Sequence, residues 1–184
     1  MVGTLTVQNL QGPASGANAN KVIIPSGHTL DVSGGTLVPS AGAVVSANRI
    51  NLDTTQIFTS STFVDVSNGS ITVTPKSSNS IFIVTASCHG YTSTAGSGSW
   101  SALVLRLIRD TVDLGGYLVA DPYYDGIMMP YNNEAMHQPL IKRSDTPSTS
   151  SAVTYKVQAL TKSGRNCHMN YFSHGFLEVI EIAG

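Results

Sequence analysis

Three carboxylates and three tyrosines fall within one short stretch, "ADPYYDGIMMPYNNE", which spans residues 120–134. Asp121, Asp125 and Glu134 supply the acid/base pairs that hydrolysis of a glycosidic bond needs. Tyr123, Tyr124 and Tyr131 supply flat rings that stack on a pyranose while nearby carboxylates accept from its hydroxyls. "ADP" and "YDG" are ordinary turn tripeptides, so this stretch is expected to be a loop. The chain contains no G-x-S-x-G, H-E-x-x-H or phosphate-binding P-loop pattern. The expectation is therefore sugar contact without catalysis, with Tyr123, Tyr124, Tyr131, Asp121 and Asp125 as receptor contacts. Trp100, which follows the glycine-rich "TSTAGSGS", is a further stacking platform. The competing use of these tyrosines is packing at a subunit interface, where Tyr is enriched.

The remaining metal- and nucleophile-capable residues point to no centre. His28, His89, His137, His168 and His174 have no ligand spacing. Cys88 and Cys167 each precede a histidine, but adjacent side chains on a strand face opposite ways and cannot share one ion. Cys88 continues the row Phe82, Val84, Ala86, and Cys167 begins the row Cys167, Met169, Tyr171, so both are expected as buried free thiols. No metal or cofactor is expected. Asn68-Gly69-Ser70 matches a glycosylation triplet and is read instead as a hairpin turn. Arg106 and Arg109 lie near Asp110 and Asp113 and are expected to form ion pairs, at the surface or between subunits.

The elements that must position these residues are strands. Charged residues make up 11% of the 184-residue chain and hydrophobic residues 41%, against about 25% charged in a typical domain. A net charge of −1 with no basic run argues against a nucleic-acid partner. No run of apolar residues is long enough for a membrane-spanning helix. "MVGTLTVQNL" lacks a basic region followed by an apolar block, so no secretory signal is expected and synthesis is expected in a cytosol.

From about residue 62 the chain alternates with period two. "FVDVSNGSITVTP" reads as two strands about an Asn68-Gly69 turn. "SIFIVTASCHGY" follows. "WSALVLRLIRD" presents Leu103, Leu105 and Leu107 on one face. Its other face carries Val104, Arg106 and Ile108, expected to meet a neighbouring subunit. "SAVTYKVQAL" places Val153, Tyr155, Val157 and Ala159 inward. In "FLEVIEIA", Glu178 and Glu181 are three apart, and a bulge near Val179–Ile180 is expected to turn both outward. About eight strands with almost no helical periodicity imply an antiparallel sandwich or jelly roll in residues 61–184.

Residues 1–60 differ. Residues 1–47 carry two charged side chains, Lys21 and Asp31, whereas residues 105–184 carry fifteen. Short apolar pairs such as Val22-Ile23-Ile24 alternate with Pro, Gly and Ser, which suits strands too short to offset chain entropy alone. The expectation is an extended β-rich attachment or shaft segment, ordered against copies of itself, with Val22, Ile23 and Ile24 at the subunit interface.

"GTLTVQNLQGPASGANANKVIIPSGHTLDVSGGTLVPSAGAVV" resembles the N-terminal segment of tailed-bacteriophage virion proteins, particularly short tail-fibre and receptor-binding proteins of aquatic phages. "ITVTPKSSNSIFIVTASCHG", "LVLRLIRD", "SDTPSTSSAVTYKVQALTKSG" and "LEVIEIAG" resemble a C-terminal β-domain of the same proteins. The resemblance implies a homotrimeric virion appendage without enzymatic activity, made in the host cytoplasm. It would be joined to other virion proteins through its N-terminal segment, with a jelly-roll knob that contacts host surface glycans. It leaves open a capsid-decorating head fibre or cement protein.

Overall fold

The computed structural model describes residues 14–16, 22–29, 39–92, 102–115, 136–137, 140–162, 166–170 and 174–184. The expected contacts Trp100, Asp121, Tyr123, Tyr124, Asp125 and Tyr131 lie outside them, as do Glu134 and Tyr171.

The chain divides into two units, Met1–Val38 and Pro39–Gly184. In the first, a turn at Ser26–Gly27 is closed by the His28 amide donating to the Pro25 carbonyl at 3.1 Å. Val22, Ile23 and Ile24 are 50%, 55% and 41% exposed.

The second unit is all-β among its described residues. Its strands are β1 (Val44–Leu52), β2 (Gln56–Phe58), β3 (Val64–Val73), β4 (Ile81–Ser87), β5 (Gly90–Thr92) and β6 (Ala102–Arg109). They continue as β7 (Val112–Gly115), β8 (Met136–His137), β9 (Leu140–Asp145), β10 (Val153–Lys162), β11 (Cys167–Met169) and β12 (Gly175–Ile182). Two four-stranded antiparallel sheets, ordered β1-β12-β4-β9 and β3-β10-β6-β7, form a sandwich. The alternation that sequence anticipates fills the space between them. Phe82, Val84, Ala86 and Cys88 from one sheet meet Leu103, Leu105, Leu107, Tyr155, Val157 and Ala159 from the other, and all are at most 1% exposed. The rings of Phe82 and Tyr155 bridge the sheets at 5.6 Å between centroids.

A third, short sheet, β2-β11-β5-β8, lies across one end. Each of its strands falls in sequence between one main sheet and the other, so four sheet-to-sheet connections pass through it.

Three expectations are corrected. Residues 44–58 are not part of a shaft that needs neighbouring chains for order. β1 pairs with β12 along its whole length and β2 pairs with β11, all within one chain. Their missing buriable surface is supplied by the C-terminal strands, a non-local pairing that local composition does not reveal. Second, "FVDVSNGSITVTP" is no hairpin. β3 runs through as one strand, and the four residues between Asp65 and Ser70 stand against the single residue Val157 of β10. Asn68 takes the left-handed conformation (φ 57°), and a Cβ on Gly69 would lie 2.9 Å from both Cβ and the carbonyl oxygen of Val66. The dipeptide thus serves an enlarged bulge. Third, the ladders through Val179–Ile180 are unbroken on both sides of β12. Glu178 faces outward, and Glu181 faces the interior at 1% exposed. The irregularity lies in the neighbouring strand, between Val44 and Ser46.

Candidate interaction surfaces

The two ends of the sandwich are chemically different. At one end β1 begins, with Val44 opposite Ile182, which in turn lies opposite Ile81. Gly42 N donates to the Ala183 carbonyl at 2.7 Å, and Ala183 N donates to the Ala43 carbonyl at 2.8 Å. The first and last residues of this unit are thereby tied together. We call this the joining end.

One buried and one half-buried carboxylate, Glu181 and Asp145, consolidate it. Glu181 Oε1 accepts from the Lys76 amide at 2.6 Å and from the Ser80 hydroxyl at 2.7 Å, while Oε2 accepts from the Ser46 hydroxyl at 3.1 Å. Asp145 receives Arg109 Nη1 on both oxygens, at 2.7 and 2.8 Å, and the Tyr155 hydroxyl at 2.8 Å. Burial, reinforced by the Asp145 carboxylate, raises the Tyr155 phenol far above its ordinary range and keeps it a donor. Each carboxylate is enclosed by structural donors, a tie rather than an acid/base pair. Sequence reasoning missed both. Their only local signal was Glu181 at an inward period-two position.

The opposite end, the loop end, carries the third sheet. There Leu52 faces Gly175, and Ser87 faces both Phe176 and Leu140. The eight steps of β1 separate the two ends by about 27 Å. A close fit holds the loop end: a Cβ on Gly175 would crowd the Ser87 carbonyl oxygen and Cys88 Cα. Asn170, at φ 57°, accepts from the His89 amide through Oδ1 at 3.2 Å.

This end anchors both limits of the Trp100 segment and the return of the tyrosine-rich segment, the stretches in which sequence places the receptor contacts. Thr92, before the Trp100 segment, is opposite Cys167, and Ala102, after it, is opposite Lys162. The tyrosine-rich segment leaves β7 after Gly115 and returns at Met136, which is opposite Tyr91. The Trp100 segment thus starts and ends at this end, whereas the tyrosine-rich segment starts from Gly115, opposite Leu107 part-way along β6, and returns here.

The expected subunit-interface residues on β6 fare differently. Val104 and Ile108 are 1% and 6% exposed within one chain, flanked in register by Leu160 and Lys156. They offer no surface to a neighbour, which corrects the expectation. Arg106 is the centre of an intrachain network. Its Nε donates to Gln158 at 2.9 Å, its Nη1 pairs with Asp113 at 2.8 Å, and its guanidinium lies 4.1 Å over the Phe63 ring. Gln158 donates to Asp65 at 2.6 Å, and Lys156 pairs with Asp65 at 3.2 Å. The Gln158 bond is the chief cause that lowers the Asp65 carboxyl below its usual value. Arg109 pairs with Asp145 rather than with Asp110.

Cys88 and Cys167 are buried free thiols. Burial pushes Cys88 up to about 12 and raises Cys167, whose sulfur lies 3.2 Å from the Thr161 hydroxyl.

Comparison with known protein families and with curated proteins finds no match. Among solved structures, the chain is similar to one titled "Crystal structure of infectious bursal disease virus VP2 subviral particle". The match covers 91% of this chain and 40% of that one, at 15% identity and a TM-score of 0.39. The chain thus spans well under half the length of that capsid protein, and no role is taken from the likeness.

Proposed function

We propose that the chain is a non-enzymatic structural and adhesive component of a virus particle, specifically a homotrimeric bacteriophage appendage of tail-fibre or receptor-binding type. Its N-terminal segment joins other virion proteins, and its loop end contacts host surface glycans. One observation carries this reading: the chain joins the sandwich at one end, and the Trp100 segment and the return of the tyrosine-rich segment are anchored at the other. That polarity suits a knob held by one end and presenting the other. The strand order agrees with the expected jelly roll, because the eight main strands numbered consecutively give 1-8-3-6 and 2-7-4-5. The resemblance of the N-terminal segment and of the C-terminal strands to phage fibre proteins supplies the biological setting.

Three copies would multiply a shallow sugar contact, because linked sites raise overall binding by factors of about 10² to 10⁴. The test is binding of the full chain to glycans and envelope fractions of the host, before and after Tyr123→Ala with Tyr124→Ala. Loss of binding by a folded double variant supports the reading, and unchanged binding removes the pair from it.

The exposed Val22, Ile23 and Ile24 also suit a segment laid along a shell, as in a capsid-decorating head fibre or cement protein. In that case, removing the protein would weaken particles more than it reduces adsorption.

A further inference from the structure

We infer that the outer face of the β1-β12-β4-β9 sheet is the surface through which copies of this chain associate side by side, with their joining ends together. This deepens the self-association proposed above, and rests on it, by naming the face.

The outward side of an antiparallel sandwich is normally polar. Here it is not. Because Glu181 points inward, Ile182 and Ile180 point outward. Ile182 lies between Val44 on β1 and Ile81 on β4, and Ile180 lies between Ala47 and Ile83. Val44 is 66% exposed and Ile81 38% exposed, Ala47 is exposed, and Ile83, Ile180 and Ile182 are half-buried. Six apolar side chains thus form two adjoining rows across three strands, at the joining end. The next row toward the loop end is Arg49, Glu178, Thr85 and Lys142, with both signs of charge.

That gradient selects both the occupant and its direction. A second copy running the same way sets the apolar rows against each other and brings Lys142, on edge strand β9, toward a neighbour's Glu178. A copy running the opposite way sets the Arg49–Glu178–Thr85–Lys142 row against the Ala47–Ile180–Ile83 row, and the Val44–Ile182–Ile81 row against the mixed Asn51–Phe176–Ser87–Leu140 row. The parallel arrangement, closed around an axis along the strands, also brings together the points near Gly42 at which each chain enters its sandwich. The sheet face measures roughly 20 Å by 27 Å. With side-chain relief this approaches the ~800 Å² per partner of a standard interface.

The test uses the full chain in sedimentation velocity at micromolar concentration. The wild type is expected as one discrete oligomer. Ile83→Glu with Ile180→Glu, and independently Val44→Lys with Ile81→Lys at exposed positions, are expected to give monomers that keep their β-sheet circular dichroism and cooperative melting. As a check that leaves the fold untouched, Ala47→Cys is treated with a short bis-maleimide and is expected to cross-link copies, whereas Val112→Cys on the other sheet is not. Folded face variants that remain oligomeric, with no cross-link at Ala47→Cys, would overturn the face while leaving self-association standing. A monomeric wild type would overturn both.

Discussion

Glu181 Oε1 accepts a hydrogen bond of 2.7 Å from the Ser80 hydroxyl, between side chains each 1% exposed on elements far apart in sequence. Together with the bonds from Lys76 and Ser46, this contact fastens the β3–β4 connection and the start of β1 to the last strand. Glu181→Ala leaves three donors without their acceptor, each loss worth about 1 kcal/mol or more. The expected destabilisation is about 3 kcal/mol, or roughly 10 °C in Tm for a unit of this size. Urea unfolding measures it. Glu181→Ala melting within 2 or 3 °C of the wild type, a shift worth only ~1 kcal/mol, would show the cluster to be dispensable.

The Arg109–Asp145–Tyr155 tie makes a graded prediction. Asp145→Ala strands a largely buried Arg109, whose side chain is 17% exposed, and should cost about 3 kcal/mol. Tyr155→Phe removes one hydroxyl and should cost about 1 kcal/mol. Equal effects in denaturant melts would mean that the Tyr155 hydroxyl bond rather than the Arg109 ion pair carries the tie.

Alkaline stability follows from the Cys88 thiol. It ionises near 9.0 in an unfolded chain and is pushed up to about 12 in the fold. Between these values the unfolded state binds fewer protons, so stability falls as pH rises, by up to ~1.4 kcal/mol per pH unit for this group. Stability should be flat below about pH 8.5 with respect to this thiol, and lower by about 2 kcal/mol at pH 10.5. Cys88→Ala should flatten the fall, as chemical denaturation at both pH values would show. An identical slope in the variant would remove Cys88 as the cause.

Gly69→Ala tests the bulge. The added methyl meets the Val66 backbone at 2.9 Å, so an effect of about 1–3 kcal/mol is expected, typical of overpacking. A neutral substitution would show that the bulge relaxes freely.

How far sequence carried these conclusions depended on range. The period-two rows Phe82–Cys88, Leu103–Leu107 and Val153–Ala159 were legible because alternation is local, and each row is buried as read. The pairing of β1 with β12 was not legible, because nothing near residue 44 announces a partner near residue 182. Glu181 was misread because carboxylates rarely turn inward unless donors await them, and those donors come from residues 46, 76 and 80. Asn68-Gly69 carries the turn chemistry of a hairpin, but the same backbone freedom equally serves a bulge once β10 fixes both flanks. The apolar outer face emerged only when register placed Ile182 beside Val44 and Ile81. Of the expected site residues, Val104 and Ile108 proved interior, because two apolar faces on a strand can both be satisfied within one chain.

Gold-labelled antibody against residues 116–135, applied to purified virus particles and viewed by electron microscopy, tests the central claim most directly. A particle appendage held by its joining end predicts label on intact particles, at the outer tip of a projecting structure. Particles that carry no label, while the protein sediments apart from them, would contradict it.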